Sequence, residues 1–204
     1  YIIRWIVNFF QSKSDYIIYV NKSQTTVMLK KNKHKLVYLP NYPEKEIYIG
    51  CEKTKSEKLR ISYIGAVRQY NELKNLMDAC HGMNDVTISI HGAGVAYKAL
   101  NEIKSNYKNV NVTGKYDFRE SARLYSETDI LYALYPIDNL QNKTGYAVKF
   151  FEAIITKTPI IVNTGTVLND FIKDYDIGFA VDGSNVDEIR ELIMYINKNR
   201  YILE

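Results

Sequence analysis

The sequence predicts an α/β fold: a parallel β-sheet with helices on both faces. After residue 58, strand and helix patterns alternate about six times, the connections are short, and most strands stop at a glycine or proline turn. Short right-handed crossovers between such elements leave few other topologies. With 204 residues, 46% hydrophobic and 25% charged, the chain can bury one sizeable core.

The elements follow in order. Tyr1 to Phe10 reads as an apolar helix, and Tyr16 to Val20 as a strand after Ser14-Asp15. A helix is expected over roughly 22 to 31, then a strand from Leu36 to Leu39 that ends at Pro40-Asn41-Tyr42-Pro43. Glu44 to Lys58, rich in Glu and Lys, reads as a linker. The repeat begins with Ile61-Ser62-Tyr63-Ile64, closed by Gly65, and a helix with Leu73, Leu76, Met77 and Cys80 on one face. Next come a strand Val86 to Ile90 ending at His91-Gly92-Ala93-Gly94, a helix near 95–105, and a strand Val110 to Thr113 ending at Gly114. Phe118 to Glu127 reads as helix, Ile130 to Leu134 as strand, 147–156 as helix, 159–162 as strand and Gly178 to Val181 as a last strand. Val186, Ile189, Leu192, Ile193 and Ile196 mark a closing amphipathic helix. The division is therefore 1–45, a linker 46–58, and a Rossmann-like domain 59–204.

In such sheets the ligand lies beyond the carboxyl ends of the strands. The loops expected there are Gly65 to Arg68, His91 to Gly94, Gly114 to Tyr116, Pro136 to Tyr146 and Asn163 to Thr166. The segment 146–163 stands out, because it opens a helix with Lys149 and Glu152 in its first turns. Cations at a sheet edge suit a phosphorylated ligand, and an ionised glutamate can accept from a pair of ribose hydroxyls. The plain alternative is a surface helix whose charges are solvated.

Composition narrows the classes. The net charge is +4, partly from Lys30-Lys31-Asn32-Lys33-His34-Lys35. Such a run can meet nucleic acid or an anionic membrane, but no aromatic RNA-binding signature accompanies it, and a solvated helix end is expected. The 18 tyrosines read as scattered. Cys51 and Cys80 form neither metal-ligand spacing nor a disulfide framework, which fits a reducing compartment. No apolar run reaches the length of a membrane span, and no signal peptide is evident. The chain does not begin with Met, so a piece of a longer protein is expected.

Five segments, taken in order, carry a resemblance. They are Ser14-Asp15-Tyr16-Ile17-Ile18-Tyr19-Val20, Leu39-Pro40-Asn41-Tyr42-Pro43, Ser62-Tyr63-Ile64-Gly65-Ala66-Val67-Arg68, Thr128-Asp129-Ile130-Leu131-Tyr132-Ala133-Leu134-Tyr135 and Lys149-Phe150-Phe151-Glu152-Ala153. The stretch from Gly165-Thr166 to Ile177-Gly178-Phe179 fits as well. Together they resemble the C-terminal, donor-binding domain of a retaining GT-B glycosyltransferase of family 4, of the bacterial capsule or lipopolysaccharide type. The resemblance implies transfer of a sugar from a nucleoside diphosphate sugar, UDP or GDP, to a hydroxyl of a saccharide or lipid-linked acceptor in polysaccharide synthesis.

It also implies roles. Glu152 matches the second glutamate of the Glu-x7-Glu motif and would hold the donor ribose. Arg68 and Lys149 would meet the diphosphate, with Lys74 a weaker third. Gly65, Lys115, Tyr116, Thr144, Gly145, Tyr146 and Thr166 would line the donor site. Thr144 stands where the motif has its first glutamate, and Ala147-Val148-Lys149 replaces a Pro-Asn-Lys triplet, which leaves the transferred sugar open.

No cofactor is expected, since arginine and lysine can stabilise a departing diphosphate without a metal. Asp170 and Asp174 are wrongly spaced for a metal pair, and His34, His81 and His91 show no ligand pattern. The first 45 residues would be the tail end of the acceptor-binding domain. The chain is then expected to bind donor but to transfer it slowly or not at all. Cytoplasmic location, peripheral contact with the inner membrane face, and self-association through Tyr1 to Phe10 complete the expectation. Three alternatives stay open: a nucleotide-sugar epimerase, a non-catalytic nucleotide-binding module, and a dinucleotide oxidoreductase. The last is weakened by Tyr97 at the third glycine position after Gly92-Ala93-Gly94.

Overall fold

A computed structural model describes residues 2–21, 25, 30–138 and 140–203. The helix expected near 22–31 lies almost wholly outside the described residues. Six strands form one parallel sheet: β3 (Leu59–Ile64), β4 (Val86–His91), β5 (Val110–Gly114), β6 (Ile130–Tyr132), β7 (Ile160–Asn163) and β8 (Gly178–Val181). Their order is β5-β4-β3-β6-β7-β8. The chain runs outward from β3 to β5, then returns to the other side of β3 for β6. The order therefore reverses between β3 and β6, and that switch point is where such sheets open a crevice.

The central strands β3, β6 and β7 are apolar on both faces, as parallel strands covered by helices must be. Period-two alternation then divides each of these three between two cores, whereas β4 buries only Val86, Ile88 and Ile90 on one face. Leu59, Ile61 and Tyr63 of β3, Ile130 and Tyr132 of β6, and Ile161 of β7 pack beneath helices α2 (Tyr70–Ala79), α3 (Tyr97–Ile103) and α8 (Val186–Lys198). Ile64, Leu131, Ile160 and Val162 face α4 (Ser121–Ser126), α6 (Val148–Ile155) and α7 (Val167–Tyr175). Each fully buried leucine or isoleucine contributes about 1.5–3 kcal/mol. In α2, Leu73, Leu76 and Met77 are buried as their spacing requires, while Cys80 caps the helix just beyond its end.

The loops at the carboxyl edge are stitched together. Gly65 N donates to His91 O, Val67 N to Ala93 O, and Gly92 N to Gly114 O, at 2.9, 3.0 and 2.8 Å. Gly92 has φ +135°, and a Cβ there would lie 1.8 Å from Gly65 O. Only glycine permits that approach. The connection expected as a loop from Pro136 to Tyr146 carries a short helix, α5 (Leu140–Thr144).

Outside the sheet, β1 (Ile17–Tyr19) and β2 (Leu36–Tyr38) pair in parallel. Helix α1 (Ile2–Lys13) buries no residue, and Trp5 and Phe10 are exposed. The stretch read as a linker is tied to the sheet domain at several points. Lys45–Tyr48 forms a 3-10 turn with Tyr48 buried. Lys53 Nζ donates to Tyr125 O, Thr128 O and Thr158 Oγ1, and burial lowers its pKa to about 8. Arg60 of β3, itself ion-paired with Asp129 at 2.6 Å, donates from Nη2 to Thr54 O at 2.7 Å.

Candidate functional site

A cavity of about 400 Å³ opens at the switch point. Tyr63, Ile64, Gly65, Ala66, Arg68 and Gln69 reach it from the end of β3, Tyr135 from beyond β6, and Tyr116 from beyond β5. The first turns of α6 close it with Ala147, Val148, Lys149 and Glu152. Of the residues expected at the site, the structure thus brings together Glu152, Lys149, Arg68, Gly65 and Tyr116. The larger cavity, about 780 Å³, is an apolar groove that includes Pro159, Ile160, Ile177 and Gly178. It lies at the amino ends of β7 and β8, away from the edge where this fold binds ligands.

Lys149 is the unusual group. It is buried, and its Nζ has no hydrogen-bond partner among the described residues. The amine rests 3.5 Å from the centroid of the Tyr63 ring and 5.5 Å from that of Tyr135. Ring faces attract a cation but cannot replace its hydration. Burial lowers its pKa to about 7, against a smaller opposing pull from Glu152. Gly65, at φ +133°, makes room for it: a Cβ there would stand 3.3 Å from Nζ. Tyr63 also braces the loop, donating from Oη to Ala66 O at 2.7 Å.

Glu152 is held from both sides. Tyr48 Oη donates to Oε1 at 2.7 Å and Tyr125 Oη to Oε2 at 2.9 Å. Burial foremost, with the neighbouring Glu152, raises the pKa of both phenols, so they stay protonated donors. The ion pairs among the described residues are Arg60–Asp129, Lys74–Asp78 and Arg123–Glu127. None engages Arg68, Lys149 or Glu152.

The other expected residues lie outside the lining of this cavity. Thr166 is the N-cap of α7, accepting from Asn169 N at 3.2 Å and donating to Asn163 O at 2.8 Å. Tyr146 packs among Phe150, Phe151 and Phe171. Thr144 turns its hydroxyl back to Leu140 O, and its carbonyl accepts from Asn21. Gly145 lies in the bend between α5 and α6, and Lys115 is exposed. Lys74 pairs with Asp78 along α2, at 2.6 Å.

Sequence reasoning missed Tyr48, Tyr63, Tyr125 and Tyr135. The one local signal was Ile47-Tyr48, an apolar pair inside a charged stretch. Five of the 18 tyrosines that read as scattered meet here: Tyr63, Tyr116 and Tyr135 line the cavity, and Tyr48 and Tyr125 hold Glu152.

A six-stranded parallel sheet with its polar cavity at the switch point is a Rossmann-like nucleotide-binding architecture. The family described as "Glycosyl transferases group 1" matches residues 44–204, and the chain belongs to it. The fold is similar to that of Anabaena HepE, solved in complex with UDP and glucose, at TM-score 0.65 and 12% identity over 93% of this chain and 55% of that one. It is similar to sucrose-phosphate synthase from Thermosynechococcus elongatus at TM-score 0.73 and 11% identity, over 98% of this chain and 53% of that one. A third, WaaG, a glycosyltransferase involved in lipopolysaccharide biosynthesis, gives TM-score 0.66 and 15% identity over 91% of this chain and 54% of that one. The chain thus spans about half the length of these structures. No curated protein sequence matches it. Among the described residues no helix is long and apolar enough to cross a membrane, and no cluster of His, Cys, Asp or Glu could hold a metal.

Proposed function

We propose that this chain is the donor-binding part of a retaining, metal-independent glycosyltransferase of the family-4, capsule or lipopolysaccharide type. It would take a nucleoside diphosphate sugar and pass the sugar to a hydroxyl of a saccharide or lipid-linked acceptor. The observation that carries this is the buried, unpaired Lys149 amine facing a cavity with Arg68 at its rim and Glu152 on its wall. An unpartnered amine in a cleft is well placed for an anion, and a fixed carboxylate for vicinal hydroxyls. A nucleoside diphosphate offers both, and the structure of HepE with UDP makes UDP the first ligand to test. In the reaction, Lys149 and Arg68 would stabilise charge developing on the leaving diphosphate, in a cleft partly removed from water. The sheet domain 59–204 and the segment preceding it would bind donor, and the acceptor would need the parts of the longer relatives that this chain does not span.

Calorimetry with UDP, GDP, ADP and the matching nucleosides tests the donor site. Binding of one diphosphate in the presence of EDTA is expected, and a strict Mg²⁺ requirement would count against the metal-free reading. Arg68→Ala should cost about 1 kcal/mol for the diphosphate, less as salt rises, and leave the nucleoside unaffected. Equal losses for both ligands would make Arg68 structural. With a radiolabelled donor, the 204-residue chain should bind and transfer slowly or not at all. Robust transfer would place the acceptor site within this chain. Cytoplasmic location, contact with the inner membrane face and self-association through exposed α1 belong to the same proposal.

A further inference from the structure

We propose that Tyr48 and Tyr125 are positioning residues for nucleotide recognition, each fixing one oxygen of the Glu152 carboxylate so that the free lone pairs face the donor ribose. This rests on the assignment of Glu152 to the ribose. The geometry supports it in three ways. First, the two phenols take different oxygens, Oε1 and Oε2, at 2.7 and 2.9 Å. A carboxylate oxygen accepts about two hydrogen bonds, so each keeps capacity for one ribose hydroxyl. Second, the donors are neutral. Among the described residues no ion pair engages Glu152, so the carboxylate is oriented by neutral donors and keeps its charge for the ligand and for the nearby Lys149 amine. An arginine in the same place would orient it but also compete for it.

Third, the phenols are themselves immobile. Tyr48 is 5% exposed and Tyr125 fully buried, and their rings meet edge to face at 6.0 Å and 78°. Tyr125 comes from α4, inside the sheet domain. Tyr48 comes from the 3-10 turn Lys45–Tyr48, ahead of the first strand of the sheet. A segment with the composition of a linker thus supplies part of the support of the candidate ribose site. Fixing an acceptor before the ligand arrives removes the cost of ordering it on binding.

The experiment compares a ribonucleotide with its 2′,3′-dideoxy form, using whichever of UDP, GDP and ADP binds the wild-type chain most tightly. Wild type is expected to favour the ribose form by about tenfold or more. Tyr48→Phe and Tyr125→Phe keep the ring and remove only the hydroxyl. Each should cut that preference about three- to tenfold and leave affinity for the dideoxy form unchanged. Thermal unfolding of both variants serves as the folding control. Variants that keep the wild-type preference, or that weaken both nucleotides alike, would overturn the proposal and leave the phenols as packing groups. A wild type with no ribose preference would instead remove the ribose assignment of Glu152, and the positioning role with it.

Discussion

Glu152→Ala is expected to weaken binding of a nucleoside diphosphate by about 1.5–3 kcal/mol, the range for hydrogen bonds to a charged group. It should also lower stability. Its cleft-facing position alone would spare the fold, but the carboxylate is also the partner of two buried phenols. Removing it leaves Tyr125 Oη with only a longer contact to Lys149 O, at 3.4 Å, and takes from Tyr48 its carboxylate acceptor, so a loss of about 1–3 kcal/mol is expected in all. Glu152→Gln separates the two effects. The amide oxygen can still accept from one phenol, so stability should partly recover, while the loss of charge keeps ribonucleotide affinity low. Thermal unfolding and calorimetry with UDP and GDP read both quantities. If nucleotide affinity stays at the wild-type level in Glu152→Ala while stability falls, Glu152 is a structural acceptor and not a ribose ligand.

The parts of the fold legible in the sequence were those fixed by local pattern. Strands read as short apolar or β-branched runs bounded by turns, so Ile61 to Ile64, Val86 to Ile90 and Gly178 to Val181 fall inside or match β3, β4 and β8. The spacing of Ile189, Ile193 and Ile196 likewise places the buried stripe of α8. Short polar helices gave no such signal: Leu140–Thr144 carries one leucine in five residues, and none is buried.

The candidate site was legible where a charge follows a glycine turn or opens a helix, as at Arg68, Lys149 and Glu152. It was not legible where role depends on direction. Thr166 lies in a suitable loop after β7, yet its hydroxyl bonds to Asn163 O and caps α7. Tyr146 sits three residues before Lys149, yet its ring packs against Phe150 and Phe171. Tyr48 lies 104 residues from Glu152 along the chain, and no periodicity reports a contact of that span.

Lys149→Met should have two opposite effects. Methionine fills similar space without an amine that needs water, so the empty protein is expected to become more stable. Burial lowers the amine from its ordinary 10.5 to about 7, and each unit corresponds to about 1.4 kcal/mol. Near pH 6 the lysine is charged in both folded and unfolded states, so the whole penalty, on the order of 5 kcal/mol, acts against the wild-type fold. Between about pH 7 and 10.5 the unfolded chain holds the proton that the folded one has lost, so wild-type stability rises with pH. Lys53, lowered to about 8, contributes with the same sign but is common to both proteins. The stability advantage of Lys149→Met should therefore shrink by about 2 kcal/mol from pH 7 to pH 9. Binding should move the other way. A diphosphate supplies the counter-charge that the empty cavity lacks, so the bound amine takes up a proton, and wild-type affinity should fall as pH rises above 7. Calorimetry in two buffers of different ionisation heat would count that proton. In Lys149→Met the uptake should vanish and diphosphate affinity should drop at least about tenfold, the scale of a charge-assisted bond in a dry site. A variant that binds as well as wild type, with the same pH slope, would show that Lys149 never meets the phosphate.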